Sequence, residues 1–174
     1  MKKHIKIAVI GAGHAGVEAA LAISRMGGSC YLITMDAQAI ARMSCNPAIG
    51  GLAKGHLVRE IDALGGIMGL AADLNAIQFK TLNKSKGRAV WSPRAQVDKI
   101  KYSNYVKKVV LKDKNIEVVE DEVVDISVDN CSVSEVILKS KKIIPIESLI
   151  VTGGTFLNGK IHIGNKNYRA GRFA

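Results

Sequence analysis

The first apolar stretch of the chain is followed by a glycine-rich turn and then by a segment with helical periodicity. Residues 5–10 read IKIAVI, a β-branched pattern typical of a strand that is buried on both faces. The segment after the turn is rich in good helix formers, and its apolar positions recur at helical spacing. The pattern therefore predicts a strand, a turn and a helix. The residues that share one face of this helix are Val17, Ala20, Leu21 and Ser24.

The turn contains three glycines in the spacing G-x-G-x-x-G. Gly11 permits a tight turn, Gly13 lets a pyrophosphate approach the backbone, and Gly16 lets the helix pack close to the strand. The start of the helix offers free N–H groups and a partial positive charge to phosphates. The unit therefore predicts a dinucleotide site, and the alternative is an ordinary βα turn. The residues that we expect to hold the dinucleotide here are Gly11, Ala12, Gly13, His14, Ala15 and Gly16.

Further elements follow up to residue 111. The pattern predicts a second parallel strand, a helix ended by paired glycines, a short helix with a strand, and a long helix with its lysines outward. Their expected ranges are 30–34, 53–64, 68–82 and 94–111. The helix of residues 53–64 carries Leu57, Ile61 and Leu64 on one face. Residues 37–51 are expected to form a loop, because Pro47 and the glycines after it disfavour regular structure.

The period of the apolar positions changes to two from residue 116 onward. Residues 116–146 therefore predict an antiparallel meander, with strands at 116–119, 123–128, 133–138 and 143–146. A last parallel strand at residues 148–151 ends in Thr152 and Gly153, which we expect to lie beside a bound ligand. By fold analogy, this order predicts an α/β Rossmann-like domain of the two-dinucleotide-binding, FAD-binding type with an inserted meander.

Composition and charge narrow the class of protein. The chain has 174 residues, of which 48% are hydrophobic, and this suits a domain with its own core. No run approaches the roughly 20 apolar residues of a membrane span, so no membrane is expected. The N-terminus runs straight into the first strand, which leaves no room for a signal peptide, so we expect a cytoplasmic protein.

The formal net charge of +10 favours a polyanionic partner, and a well solvated surface is the alternative. The cations occur in clusters, as binding to a phosphate backbone requires. The clusters are Lys80, Lys84, Lys86 and Arg88; Lys99, Lys101, Lys107 and Lys108; and Lys139, Lys141 and Lys142.

The three cysteines show no C-x-x-C spacing, which suggests neither a metal site nor a disulfide framework. Cys30 lies in an apolar strand and is expected in the core. Cys45 lies in a polar, glycine-rich stretch, where a thiolate would be a nucleophile whose pKa Lys54 and His56 could lower. The alternative for Cys45 is a buried structural cysteine.

Several stretches have distinctive sequences beyond the glycine turn. The most specific are SCNPAIGG at residues 44–51 and KGHLVREIDALGG at residues 54–66. RAQ at residues 94–96 with Asp98, and GTFLNGKIHIG at residues 154–164, add to them. Together with GAGHAG at residues 11–16, these stretches resemble the MnmG/GidA family of tRNA uridine 5-carboxymethylaminomethyl modification enzymes over nearly the whole chain.

The resemblance implies a flavoprotein that uses FAD, with NADH and methylenetetrahydrofolate as co-substrates. It implies an enzyme that acts with an MnmE-type GTPase and builds a carboxymethylaminomethyl-type group on C5 of the wobble uridine of tRNA. Members of the family are homodimers.

The resemblance also implies roles for particular residues. The glycines would hold the FAD pyrophosphate, the backbone of Val123 would contact the adenine end, and Thr152 and Gly153 would lie near the flavin. Val123 has the alternative of an ordinary strand residue. Cys45 would add to a uracil ring carbon or accept a carbon unit. Three cations are the candidates for tRNA phosphate contact, and Trp91 could stack on a base, although packing is favoured for it. These cations are Lys86, Arg88 and Arg94.

Two departures from the family limit these expectations. Arg88 stands where the family usually has a proline, and family members are several times longer. We therefore expect residues 1–174 to be the N-terminal part of an FAD-binding domain, without the NADH-binding insertion and the C-terminal helical domain, and inactive alone.

Three alternative functions are considered. One is an inactive nucleotide-binding relic. Another is a folate- and FAD-dependent tRNA uridine methyltransferase of the TrmFO type, which the SCNPAIGG stretch disfavours. The third is a general NAD(P)H oxidoreductase, which is disfavoured because Asp36 comes late for a ribose-binding acid and because the chain is basic.

Overall fold

The structure is a computed structural model that describes residues 6–43, 46–155 and 157–169. Its helices are α1 (His14–Arg25), α2 (Lys54–Ala63), α3 (Ile67–Leu74) and α4 (Lys99–Lys112). Its strands β1 to β12 are, in chain order, Ile7–Ile10, Cys30–Thr34, Ala48–Gly50, Ala76–Leu82, Ser92–Val97, Ile116–Glu120, Val123–Asp129, Ser132–Leu138, Ile143–Pro145, Ser148–Val151, Lys160–Ile163 and Lys166–Arg169.

A parallel sheet with the order β10-β1-β2-β6 forms the centre of the fold. The strands predicted first, second and last lie next to one another in it, as expected. The assignment of residues 116–119 to the meander is wrong, because β6 pairs with β2 in parallel over its full length. Alternating apolar positions do not reveal a strand's partner, since parallel and antiparallel edge strands share the same period.

Two helices cover one face of this sheet. Val17, Ala20 and Leu21 of α1 are buried, as their spacing predicts, and the helix ends before Gly27, whose φ is +82°. Tyr102 and Val106 of α4 are buried in the same core. Both helices thus pack their apolar faces against the strands. The packing of α1 holds its first residue close to the end of β1.

The expected helix of residues 94–111 begins too early. Residues 92–97 form β5, and α4 starts only after Asp98. The Asp98 carboxylate accepts hydrogen bonds from the backbone N–H groups of Ile100 and Lys101, both at 3.0 Å. An aspartate at this position satisfies N–H groups that the first helical turn leaves free, so it marks the helix start.

A second, antiparallel sheet has the order β3-β5-β4 and packs against α2 and α3. The expected loop of residues 37–51 is wrong at its end, because Ala48–Gly50 pairs with β5. Gly50 has a φ of +91°, and a Cβ there would lie 2.3 Å from the carbonyl oxygen of Pro93. The glycine that argued against regular structure is instead what allows β3 to approach β5.

Helices α2 and α3 and strand β4 lie close to their predicted ranges. The apolar face predicted for the first of these helices is not buried, however. Leu57 is 57% exposed and Leu64 is 80% exposed. The helical period of the sequence is therefore confirmed, while Leu57 and Leu64 are exposed and Ile61 is half-buried.

The antiparallel meander begins at Val123 rather than at residue 116, and its order is β7-β8-β9. Val136, Leu138 and Ile144 form a second buried cluster with Ala8 and Ile33, on the other face of the parallel sheet. Strands β11 and β12 pair as a separate hairpin. None of the helices within the described part of the chain is both long and apolar enough to cross a membrane.

Candidate functional site

The glycine turn lies at the carboxyl end of β1, between the ends of two neighbouring strands. The N–H group of Gly11 donates to the carbonyl oxygen of Ile33 at 2.8 Å, and Gly11 has a φ of +95°. A Cβ at Gly11 would lie 2.5 Å from the carbonyl oxygen of Thr152. Because β1 has β2 on one side and β10 on the other, the turn occupies the point where the strand order reverses, which is where open α/β sheets bind ligands.

The other two glycines face opposite surroundings. A Cβ at Gly16 would lie 1.8 Å from the carbonyl oxygen of Gly11, so the helix could not pack this closely with any other residue there. A Cβ at Gly13 would meet no atom within 4 Å. Gly16 is thus needed for the fold, whereas Gly13 leaves open space at the start of α1.

Free backbone donors are available beside this open space. The carbonyl oxygen of Gly13 accepts from the N–H group of Val17 at 2.9 Å, as the residue before a helix does. The N–H groups of His14, Ala15 and Gly16 precede this bond and have no partner within the helix. Donors of this kind, together with the helix dipole, suit a phosphate group. The geometry that the three glycines predict is therefore present.

Thr152 fastens the end of β10 to this turn. Its hydroxyl donates to the carbonyl oxygen of Ile10 at 2.7 Å and lies 3.0 Å from that of Gly11. Its backbone N–H also donates to Ile10, at 2.8 Å. Gly153 follows directly, so both residues lie at the same edge of the sheet as the glycines. The side chain of Thr152 holds the backbone in place, which spacing alone does not reveal.

His14 is the first residue of α1, and its side chain turns toward α4. Its ring lies 5.7 Å from that of Tyr102, and Nε2 is buried without a hydrogen-bond partner in the described residues. Burial lowers the pKa of His14 below the ordinary value of 6.5, so the ring is neutral at pH 7. Because no carboxylate among the described residues pairs with His14, the geometry supports packing beneath the turn rather than acid–base chemistry.

Glu18 connects α1 to α3. Its carboxylate accepts from the N–H group of Met68 at 2.7 Å and from that of Ile67 at 3.0 Å. It therefore caps α3, which begins after Gly66 and has no capping side chain of its own. Sequence reasoning missed this residue, and the only signal was that a helix follows a glycine that cannot cap it.

The acidic side chains near the end of β2 already form hydrogen bonds and an ion pair within the chain. Asp36 accepts from the N–H group of Gln38 at 2.8 Å and forms an ion pair with Arg42 at 3.0 Å. Glu120, at the end of β6, accepts from the N–H group of Ala37 at 3.0 Å.

Val123 is the first residue of β7 and packs against the second buried cluster. Its backbone role toward an adenine stays a prediction.

The cysteines divide between core and surface. Cys30 is fully buried, as expected, and burial raises the pKa of its thiol to about 11. Cys131 is exposed in the turn between β7 and β8. Cys45, the expected nucleophile, lies outside the described residues.

The predicted phosphate contacts fall into two places. Lys86 and Arg88 lie in short 3-10 turns on either side of Gly87. The Arg88 guanidinium lies 5.8 Å from the centre of the Trp91 ring, and Trp91 Nε1 donates to the carbonyl oxygen of Lys84 at 3.2 Å. Trp91 is thus held by its neighbours, but it is 39% exposed and belongs to neither buried cluster, so its packing role stays a prediction.

Arg94 lies apart from these turns, in the middle strand of the small sheet, directly opposite Lys80. A cavity of about 630 Å³ opens between this sheet, α2 and α3, and both cations contribute to its lining. Asp62 and Asp73 line it from the helices. The glycine turn and the start of α1, residues 11–16, form a surface that we call the glycine cradle. It is distinct from this cavity, and Glu18 connects α1, which carries the cradle, to α3, which lines the cavity.

Comparison with known proteins gives a consistent result. Residues 6–174 match the family described as glucose inhibited division protein A. The tRNA uridine 5-carboxymethylaminomethyl modification enzyme MnmG of Chlorobaculum tepidum is 53% identical over 166 residues, which is 95% of this chain and 27% of that protein. The chain thus spans about 27% of the length of this curated relative.

Solved structures agree with this result. GidA of Aquifex aeolicus superimposes with a TM-score of 0.91 and 53% identity, over 96% of this chain and 28% of that one. PqsL of Pseudomonas aeruginosa, described as a probable FAD-dependent monooxygenase, shares the fold alone, with a TM-score of 0.57 and 12% identity over 83% of this chain and 41% of its own. The predicted α/β Rossmann-like fold of FAD-binding type is confirmed. On the family match and the Aquifex aeolicus superposition together, the chain belongs to the glucose inhibited division protein A family.

Proposed function

We propose that this chain is the FAD-binding N-terminal part of an enzyme that modifies uridine in tRNA. The observation that carries the proposal is the cradle at the start of α1, where Gly13 faces open space while Gly11 and Gly16 are closely packed. The name of the relative from Chlorobaculum tepidum supports the reaction, the addition of a carboxymethylaminomethyl group to a tRNA uridine.

The residues of the cradle fit the diphosphate of FAD. The N–H groups at the start of α1 would hold the phosphate oxygens, and the missing side chain at Gly13 would let them approach the backbone. Thr152 would keep the edge of the sheet close to the turn, with Gly153 facing the flavin side. When bound, FAD would supply redox chemistry for the modification.

The remaining parts of the proposal concern substrates and partners. Lys86, Arg88 and Arg94 would contact tRNA phosphates, and Cys45 would act as the nucleophile toward the uracil ring or a one-carbon unit. NADH and methylenetetrahydrofolate would be co-substrates of the full-length enzyme, which would work as a homodimer with an MnmE-type GTPase. The segments that the longer relatives have beyond this chain would carry the NADH-binding insertion and the helical domain.

Titration of the chain with FAD and with ADP, followed by calorimetry, tests the cradle. We expect both ligands to bind, and we expect Gly13→Ala to weaken binding at least tenfold, because its methyl group would occupy the space of a phosphate. Since φ at Gly13 is −70° and no atom lies near the new Cβ, this variant should keep the melting temperature of the parent.

Gly16→Ala serves as the matched comparison. The same methyl group would there clash with the Gly11 carbonyl oxygen, so stability should fall together with binding. Equal binding of FAD by the parent and by Gly13→Ala would overturn the proposal.

A further inference from the structure

We propose that one face of the small antiparallel sheet is a second phosphate site, which holds a phosphorylated nucleoside between Lys80 and Arg94. The site rests on the proposed function, because it names the chemical group of an RNA substrate that this surface would recognise. It is distinct from the glycine cradle, since it lies on β4 and β5 rather than at the start of α1.

The pairing of β4 with β5 places like charges side by side. Lys80 lies directly opposite Arg94, and Gln78 lies directly opposite Gln96 on the same face. Directly opposite residues in an antiparallel pair have Cβ atoms about 5 Å apart, and like charges at such positions destabilise the sheet. An anion between the two cations would remove this repulsion.

Neither cation is neutralised by the protein. Within the stretches that the structure describes, no carboxylate lies within 4.0 Å of either side chain, although Asp62 and Asp73 line the neighbouring cavity. Arg94 is half-buried and Lys80 is exposed. The Arg94 guanidinium offers five donors in a planar fork, which matches the oxygens of a phosphate group.

The neighbouring residues suit a ligand larger than a bare anion. Gln78 and Gln96, together with the two cations, line a shallow depression of about 30 Å³, so a nucleotide would lie across the open face of the sheet rather than inside a pocket. Their amides can donate and accept hydrogen bonds, as the edge of a base or the hydroxyl groups of a ribose require. On the adjacent strand β3, Ala48 and Gly50 pair with Gln96 and Arg94 and present little or no side chain, which leaves room above the sheet. Phosphate and nucleoside would thus be recognised by adjacent pairs of residues.

Calorimetric titration of the 174-residue chain at constant ionic strength tests the inference, with inorganic phosphate, UMP and a short oligouridine as probes. We expect Arg94→Gln and Lys80→Gln each to weaken binding of the best probe at least tenfold, and Arg94→Lys to retain part of it. Lys142→Gln, an exposed cation on the meander, is the control and should change nothing. The probe that binds most tightly identifies whether the ligand of this site is a free phosphate, a nucleotide or an RNA strand.

A thermal readout separates this role from a structural one. Without phosphate, removing one of two repelling cations should leave the melting temperature unchanged or raise it. With phosphate, the parent chain and Lys142→Gln should gain more stability than Arg94→Gln or Lys80→Gln. A purely structural arginine would show the reverse, with a lower melting temperature in both buffers.

A variant of the glycine cradle keeps the two proposals distinguishable. UMP should bind to Gly13→Ala as it does to the parent chain, whereas FAD should bind to this variant at least tenfold more weakly. Loss of UMP binding in Gly13→Ala, failure of all three probes to bind, or binding that is unchanged in Arg94→Gln and Lys80→Gln would overturn the inference. Failure of FAD binding alone would overturn the proposed function and leave this site standing.

Discussion

Several single side chains stabilise this fold by forming hydrogen bonds with backbone groups that helices and turns leave without a partner. Glu18 reaches from α1 to the N–H groups that open α3, and Thr152 holds the carbonyl oxygens that end β1. His14 does the opposite, since its buried Nε2 has no partner in the described part of the chain. Two of these residues therefore stabilise the fold around the cradle, and the third adds a sensitivity to pH.

Replacing Glu18 should loosen α3. Glu18→Ala removes an acceptor of two backbone N–H groups and is expected to lower the free energy of unfolding by about 1 to 2 kcal/mol. Glu18→Gln keeps an acceptor oxygen and should lose less. Urea unfolding of the two variants measures the difference, and equal stability of Glu18→Ala and the parent would show that the cap is not needed.

His14 should make the fold less stable in acid. Its pKa in the folded chain is below the ordinary value of 6.5, so the unfolded chain binds the proton more readily. The stability that the neutral ring allows is complete above pH 6.5 and decreases as the pH falls toward the lowered pKa. His14→Gln should lose less stability than the parent between pH 7.5 and pH 5.5, as unfolding curves at the two values will show. Parallel losses in both proteins would contradict this cause.

At the scale of elements, the sequence patterns predicted where helices and strands lie along the chain better than which strands pair with one another. The strand–turn–helix unit, β2 and β10 agree with the predictions because their local pattern and their glycines determine them. The errors occurred where pairing with a distant strand determines the secondary structure. Residues 116–120 joined the parallel sheet, residues 48–50 became a strand, and residues 94–97 became part of β5.

The candidate site shows the same division. The roles of the glycines follow from the absence of a side chain, so spacing suffices to predict them. Glu18 and the Lys80–Arg94 pair could not be found from spacing, because their partners are 49 and 14 residues away along the chain and are brought close only by helix and strand packing.

The boundary between β5 and α4 should depend on Asp98. Asp98→Ala removes both hydrogen bonds that begin α4 and is expected to cost about 1 kcal/mol of unfolding free energy. Asp98→Asn keeps a capping oxygen and serves as the matched control, with a change of a few tenths of a kcal/mol. Thermal unfolding monitored by circular dichroism makes the comparison, and an equal effect of the two substitutions would assign the cost to charge rather than to capping.

At the scale of the whole molecule, the chain joins a Rossmann-like sheet to a smaller sheet that carries Lys80 and Arg94. The cavity beside Arg94 belongs to the second part, while the open side of Gly13 belongs to the first. The exposed apolar side chains of Leu57 on α2 and of Leu64, directly after it, line neither of these sites.

The most direct test of the central claim is a nuclear magnetic resonance titration of the chain with ADP. If the cradle binds a diphosphate, saturable shifts should appear first at the amides of residues 11–16 and then at Thr152 and Gly153, with α2 and the meander unchanged. Shifts confined to the small sheet, or none at saturating ADP, would contradict a dinucleotide site at the start of α1.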